Sequence, residues 1–161
     1  QEAALGCNFE YPASWVEYPP DVLNEAADDF PTVYAVTDPL GGRVGSIPVD
    51  YIMFAGQREQ QQAVAAPSTK LESLAVSLAQ TSLAGGTVVE PTNAFTVNGI
   101  SAAAKTYRME ATEIQTVWRL VCLVSGERVF YFVFVSEAPL WNDNKSIFDA
   151  TLASFQATAV A

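Results

Sequence analysis

Seven consecutive apolar residues, Val129-Phe130-Tyr131-Phe132-Val133-Phe134-Val135, constrain this chain most. The run has strand length, is built from β-branched and aromatic side chains, and shows no polar alternation. A strand that is apolar on both faces needs cover on both. The chain's ends supply candidates: Phe9-Glu10-Tyr11-Pro12-Ala13-Ser14-Trp15 near the start, and Trp141 followed by an amphipathic segment closing on Ser154-Phe155. Both termini are expected to pack into one closed, layered unit.

Other segments fill in the layers. Residues 6–11 read as a strand ended by Pro12, with Trp15 and Val16 packing back on the core. Asp21 to Ala27 suggests a short helical turn. Phe30 to Thr37 and Ile47 to Phe54 read as strands around the turn Asp38-Pro39-Leu40-Gly41-Gly42, and Gln57 to Gln62 as a surface loop. Thr69 and Glu72 have capping-box spacing. Leu71, Leu74, Ala75 and Leu78 then form a single apolar stripe, which lays a helix on a sheet. Gly85-Gly86 stops it. Thr87–Glu90 and Phe95–Val97 read as short extended pieces, and Asn98-Gly99 as a hairpin turn. Ala102 to Ala111, Ile114 to Val124 and Val129 to Val135 follow as strands. Their short connections permit only an antiparallel meander. A last helix runs from about Asn144 to Phe155, with Asn142, Asp143 and Asn144 as N-cap candidates. The sum is an α+β fold: a three-layer αβα sandwich around a mostly antiparallel sheet, one domain over residues 1–161.

Charge narrows the partners. The net charge is −10, from 18 acids and 8 bases. The first 57 residues hold all of Glu2, Glu10, Glu17, Asp21, Glu25, Asp28, Asp29, Asp38 and Asp50 against Arg43 alone. Such a surface repels nucleic acid and anionic lipid, and suits a basic docking surface. No apolar stretch is long enough for a transmembrane segment. Residues 1–6 lack the basic start of a signal peptide, although Ala4-Leu5-Gly6-Cys7 has the outline of a lipoprotein processing box.

Chemistry has few carriers. The chain contains no histidine, which removes Ser-His-Asp and Cys-His arrangements. Gly41-Gly42 and Gly85-Gly86 lack a phosphate-loop context. Glu25, Asp28 and Asp29 stand close enough in sequence to hold a hard cation, against the plainer reading of solvated acids. Glu137 and Asp143 flank Trp141. Arg119, inside an apolar strand, reads as snorkelling or salt-bridged. Trp15, Tyr18, Trp141 and Asp143 are candidate docking residues, with core lids as the alternative for the tryptophans. Cys7 and Cys122 share parity with apolar neighbours, so a disulfide and two inert buried thiols both remain open. No catalytic residue and no cofactor is expected.

The order of these elements resembles the PsbP/DcrB-like family. The matching residues are Phe9-x-Tyr11-Pro12-x-x-Trp15, Val97-Asn98-Gly99 leading into the 102–107 strand, Gly126 before the 129–132 strand, then Trp141, Phe148 and Ser154-Phe155. The resemblance spans nearly the whole chain, although each motif alone consists of core and turn positions. It implies the αβα sandwich. It also implies a non-enzymatic, exported accessory subunit docking on a membrane protein complex, as plant and algal members look like extrinsic photosystem II subunits. The alternative it carries is a small-molecule or ion-binding module of the bacterial, lipoprotein-like branch. The compartment implied is extracytoplasmic: thylakoid lumen, periplasm or cell surface. The chain departs from the photosynthetic pattern in lacking a lysine-rich N-terminal extension and histidines, and in its acidity.

Overall fold

The computed structural model describes residues 7–17, 34–39, 43–44, 47–48, 50–58, 66–79, 86–109, 115–125 and 128–157. In chain order these form β1 (Cys7–Asn8), β2 (Val16–Glu17), β3 (Tyr34–Thr37), β4 (Arg43–Val44), β5 (Ile47–Pro48), β6 (Tyr51–Arg58) and α1 (Pro67–Ala79). There follow β7 (Thr87–Val97), β8 (Ile100–Met109), β9 (Thr116–Ser125), β10 (Arg128–Glu137), a 3-10 turn over Ala138–Leu140, α2 (Trp141–Ala153) and β11 (Gln156–Ala157).

The apolar run is β10, and it sits inside a sheet ordered β2-β3-β6-β10-β9-β8-β7. Every pair in that sheet is antiparallel. Along β10 the residues alternate between two cores. Val129, Tyr131, Val133 and Val135 join Leu71 and Ala75 of α1 on one face. Phe130, Phe132 and Phe134 join Phe148 and Leu152 of α2 on the other, with Cys7, Trp15 and Phe155. The missing polar alternation thus has its physical cause in two covering layers. β1 pairs with β11, Cys7 opposite Ala157, so both ends of the described chain close the α2 side.

Several boundaries differ from the sequence reading, each for a local reason. α1 begins at Pro67, which serves as a first-turn proline; Thr69 and Lys70 donate to the Ala66 carbonyl at 3.0 and 3.1 Å. The Thr69–Glu72 capping box does not form there, because Glu72 reaches the sheet instead. α2 begins at Trp141 after the 3-10 turn, with no side-chain cap. Asn144, expected as a cap, is buried and bonded elsewhere. Gln57 and Arg58 extend β6 opposite Val129 and Arg128, where a loop was expected. Ile47–Pro48 pairs with Arg43–Val44 in a separate ladder, since Pro48 offers no ladder donor. The strand expected over 6–11 shrinks to β1, beyond which the chain drops the Phe9 ring onto Phe54 and Phe132, both centroids at 5.1 Å. The two pieces expected between 87 and 97 are one bulged strand.

The Asn98-Gly99 turn forms as expected, with φ of 48° and 81°, the left-handed pair a two-residue hairpin needs. Asn98 has a second task. Its Nδ2 donates to the carbonyls of Ala153 and Phe155 at 3.0 and 2.8 Å, satisfying acceptors that the end of α2 leaves open.

The Cys7–Cys122 disulfide is corrected. Cys7 belongs to the core under α2 and Cys122 to the core under α1, with the sheet between them. They are two buried thiols, the second of the sequence alternatives.

Candidate functional site

One register row explains where polar groups gather. Reading across the sheet, Glu90 lies opposite Thr106, Thr106 opposite Arg119, and Arg119 opposite Phe134. The row continues through Ile52 and Val36. Its apolar half lies under α2 and the N-terminal segment. Its polar half lies beyond the helix, where β7, β8 and β9 have α1 on the opposite face. A groove results between β7 and α2. It holds a cavity of about 180 Å³ over Arg119 and Thr106, walled by Phe95, Ala104 and Leu152. A second cavity of about 360 Å³ adjoins it along Phe95, Asp149 and Leu152, toward the Asn98 turn.

Arg119 is the groove's floor. Its side chain is only 10% exposed, while its partners Glu90 and Asp149 are 51% and 55% exposed. Nη1 donates to Asp149 Oδ1 at 2.8 Å. Nη2 faces Glu90 Oε1 at 3.7 Å, an ion pair beyond hydrogen-bond distance. The guanidinium also lies 5.3 Å from the centre of the Trp141 ring, a favourable cation–π contact. Arg119 is therefore salt-bridged, as its place in an apolar strand suggests. Glu90 reaches it because two register shifts, before and after Glu90, free that residue from regular pairing beside Pro91. Bulges commonly re-aim a side chain in this way.

A second polar cluster is wholly internal. Asp50 is 0% exposed. Its Oδ1 accepts from the Glu137 backbone N–H at 3.0 Å and from Asn144 Nδ2 at 2.9 Å. Asn144 Nδ2 also donates to Ser136 Oγ at 2.9 Å. The cluster joins the start of β6, the end of β10 and the first turns of α2. Its role is to fix α2, and through α2 the position of Asp149.

On the opposite face Glu72 of α1 accepts from the Thr92 hydroxyl and pairs with Lys105 Nζ at 3.2 Å. The Thr92 hydrogen bond, with Lys105 behind it and against the opposing effect of burial, holds the Glu72 carboxyl below its ordinary range. Burial pulls the Lys105 amine down, but hydrogen bonds to Tyr107 and Glu72 leave it raised. The pair therefore stabilises the fold between the two shifted values. It is lost as pH falls through the depressed Glu72 value, or rises through the elevated Lys105 value. Since the Glu72 side chain is 47% exposed, the contribution after solvent screening is about 0.2–1 kcal/mol. Urea unfolding of wild type and Glu72→Ala should show a stability gap at neutral pH that closes below the glutamate range. A gap that does not narrow as pH is lowered through and below the ordinary glutamate range would refute this linkage.

The sequence-expected site residues scatter. Trp15 is 5% exposed, with its ring 6.1 Å from that of Phe148. It is a core lid and presents no anchor to a partner, so that expectation is corrected. Val16, expected in the core, is 49% exposed. Trp141 is half-buried against Phe148 and Arg119. Asp143 is exposed in the first turn of α2. Tyr18 and the cation-site candidates Glu25, Asp28 and Asp29 lie outside the described residues. Among the described residues, no three His, Cys, Asp or Glu side chains gather as metal ligands would. Glu90, Thr106 and Asp149 were not foreseen; the irregular 88–93 pattern around Pro91 was the available signal.

A sheet with one helix layer on each face and both ends of the described chain folded onto one side defines the class. Comparison with solved structures gives it a name: the fold is PsbP-like. The solution structure of cyanobacterial PsbP (CyanoP) from Synechocystis superposes with a TM-score of 0.67 at 13% identity, over 96% of this chain and 88% of that one. LpqN of Mycobacterium tuberculosis, a protein involved in cell envelope biogenesis, gives 0.64 at 12% identity, over 95% and 83%. A Bacteroides thetaiotaomicron protein gives 0.63 at 10% identity, covering 99% of this chain. This chain spans about half of the Bacteroides protein, 47%. No protein-family profile and no curated protein matches the sequence. Likeness at such identities defines the fold, and function has to be argued from the site. No helix among the described residues is long and apolar enough to cross a membrane.

Proposed function

We propose that this chain is a non-catalytic, extracytoplasmic accessory domain that docks on a membrane protein complex through the acidic face around α2. The observation that carries this reading is an imbalance of exposure. On the α2 side Glu10, Glu90, Asp143 and Asp149 are exposed, whereas of the bases there Arg119 is buried, Arg128 and Lys145 are half-buried and Arg108 alone is exposed among the described residues. Glu10 is tied to the end of α2: its N–H donates to Ser154 Oγ at 2.7 Å. A face of this sign complements a basic surface and speeds encounter with it. The likeness to CyanoP makes a photosynthetic complex the partner to try first, and the likeness to LpqN supports a setting at the cell envelope. The mutual pairing of Arg119 with Glu90 and Asp149 supports a binding role over turnover.

The test is sedimentation with washed membranes of the source cells. The protein should pellet at about 50 mM salt and release at about 500 mM, as screened surface charges require. Asp143→Asn combined with Glu10→Gln should weaken the low-salt association while leaving the melting temperature unchanged. A protein that stays in the supernatant at low salt overturns the reading.

A further inference from the structure

The floor and apolar wall of the groove over Arg119 have no part in docking. A guanidinium carries five N–H donors in a planar fork suited to one bidentate carboxylate. Here the fork is not filled that way. Asp149 takes one hydrogen from Nη1, and Glu90 stands off Nη2 at 3.7 Å. Both acids are half-exposed, and Glu90 stands on the bulged part of β7, the outermost strand among the described residues. The deep group is therefore cationic and the rim is anionic. Phe95, Ala104 and Leu152 line the space beside them, and the adjoining cavity continues along Phe95 and Leu152.

We propose that this groove binds a small zwitterion with an apolar side chain, of the α-amino-acid class. The ligand carboxylate takes Arg119 Nη2 in place of Glu90, the ligand ammonium sits between Glu90 and Asp149, and the apolar group lies against Phe95 and Leu152. Charge decides the class. Arg119, Glu90 and Asp149 sum to one negative charge. A simple anion entering to reach Arg119 would face both carboxylates unrelieved, on a chain of net charge −10. A simple cation would remain on the half-exposed rim, where an ion pair contributes little, and would meet the repulsion of the guanidinium below. A zwitterion alternates sign with every group it meets. It exchanges the loose Arg119–Glu90 pair for two closer ones and leaves the site's net charge unchanged. The proposal goes beyond docking: it shares Glu90 and Asp149 with the acidic face but turns on Arg119 and the apolar wall, whereas the membrane test turns on Glu10 and Asp143.

The experiment is an amide-resolved NMR titration of the folded chain with L-leucine and L-phenylalanine. N-acetyl-L-leucine serves as the anion-only control and L-leucinamide as the cation-only control. The expected result is saturable movement of the Asn93, Phe95 and Leu152 amides with the free amino acids, and binding about tenfold or more weaker for either control. Glu90→Gln, at an exposed position, should keep the fold and weaken the amino acids by about tenfold. Arg119→Gln should abolish binding; should it fail to fold, Glu90→Gln still decides. Groove amides that stay still with both amino acids up to about 10 mM, a range that covers weak millimolar binding, overturn the proposal. So does N-acetyl-L-leucine or L-leucinamide binding as well as L-leucine, or a Glu90→Gln variant that binds as wild type. Failure here leaves membrane association untouched, and failure of membrane association leaves the titration untouched.

Discussion

Phe132→Ala should destabilise this protein by about 3–5 kcal/mol, the range for removing a buried aromatic ring. Phe132 is fully buried near the middle of β10. Its ring centre lies 5.0 Å from that of Phe54, 5.1 Å from Phe9, 5.3 Å from Phe134 and 5.7 Å from Phe155. These rings come from the N-terminal segment, β6, β10 and the segment after α2, so no single element can move in to fill the space. The lost contacts are dispersive and numerous, and a void of ring size has no atoms on its far side. At roughly 2–4 °C per kcal/mol for a chain of this length, the midpoint should fall by about 10 °C. Paired urea and thermal melts provide the measurement. Val16→Ala, at a site 49% exposed, is the control and should change stability by less than about 0.5 kcal/mol. A Phe132→Ala variant that melts with wild type would mean that the ring cluster does not hold the layers together.

The same cluster shows why the fold was legible in the sequence. The run from Val129 to Val135 requires two covers whatever supplies them, and the apolar residues near the two ends were the available material. Asn98-Gly99 requires left-handed backbone at a hairpin, and the structure has it. These signals are local: each is satisfied by the properties of a few adjacent residues. Boundaries were less legible where a distant partner decides. Glu72 has the spacing of a capping-box acid, yet Thr92 and Lys105 on the sheet take its carboxyl. Asn144 has the chemistry of a cap, yet Asp50 and Ser136 take its amide. Gln57 is polar, yet its backbone pairs with Val129.

The groove was the least legible part for the same reason. Arg119 inside an apolar strand announces a need for an acid, but many acids in the chain could have met it. Only the register of β7, β8 and β9 and the placement of α2 select Glu90 and Asp149. Cys7 and Cys122 make the converse point. Each was correctly placed toward a core by its parity, but parity within one strand does not say which of two cores it faces. The answer needed the whole sheet.

Asp50→Ala should cost about 3 kcal/mol, through groups left behind and not through lost volume. Asp50 Oδ1 receives the Glu137 N–H and one hydrogen of the Asn144 amide, and the region around it is closed to water. Each buried donor stranded without an acceptor costs about 1–3 kcal/mol. The backbone of Asp50 has its own bonds, since its carbonyl accepts from the Thr37 hydroxyl at 2.9 Å and the Asp38 N–H at 3.1 Å. The backbone at Asp50 should therefore stay in place, and the damage should concentrate where β10 passes into α2. Hydrogen exchange should speed up in the first turns of α2 before it does so in β9. Asn144→Ala removes one of the two stranded donors in advance. Because the two residues share a hydrogen bond, the double variant should be more stable than additivity predicts, by about 1 kcal/mol or more. Strict additivity in that cycle would show that the 2.9 Å contact does not couple them. An intact α2 in Asp50→Ala, judged by exchange, would show that its apolar packing and its bonds to Asn98 and Arg119 hold the helix without Asp50. The groove would then keep its geometry without Asp50, and the amino-acid titration on this variant would read as wild type.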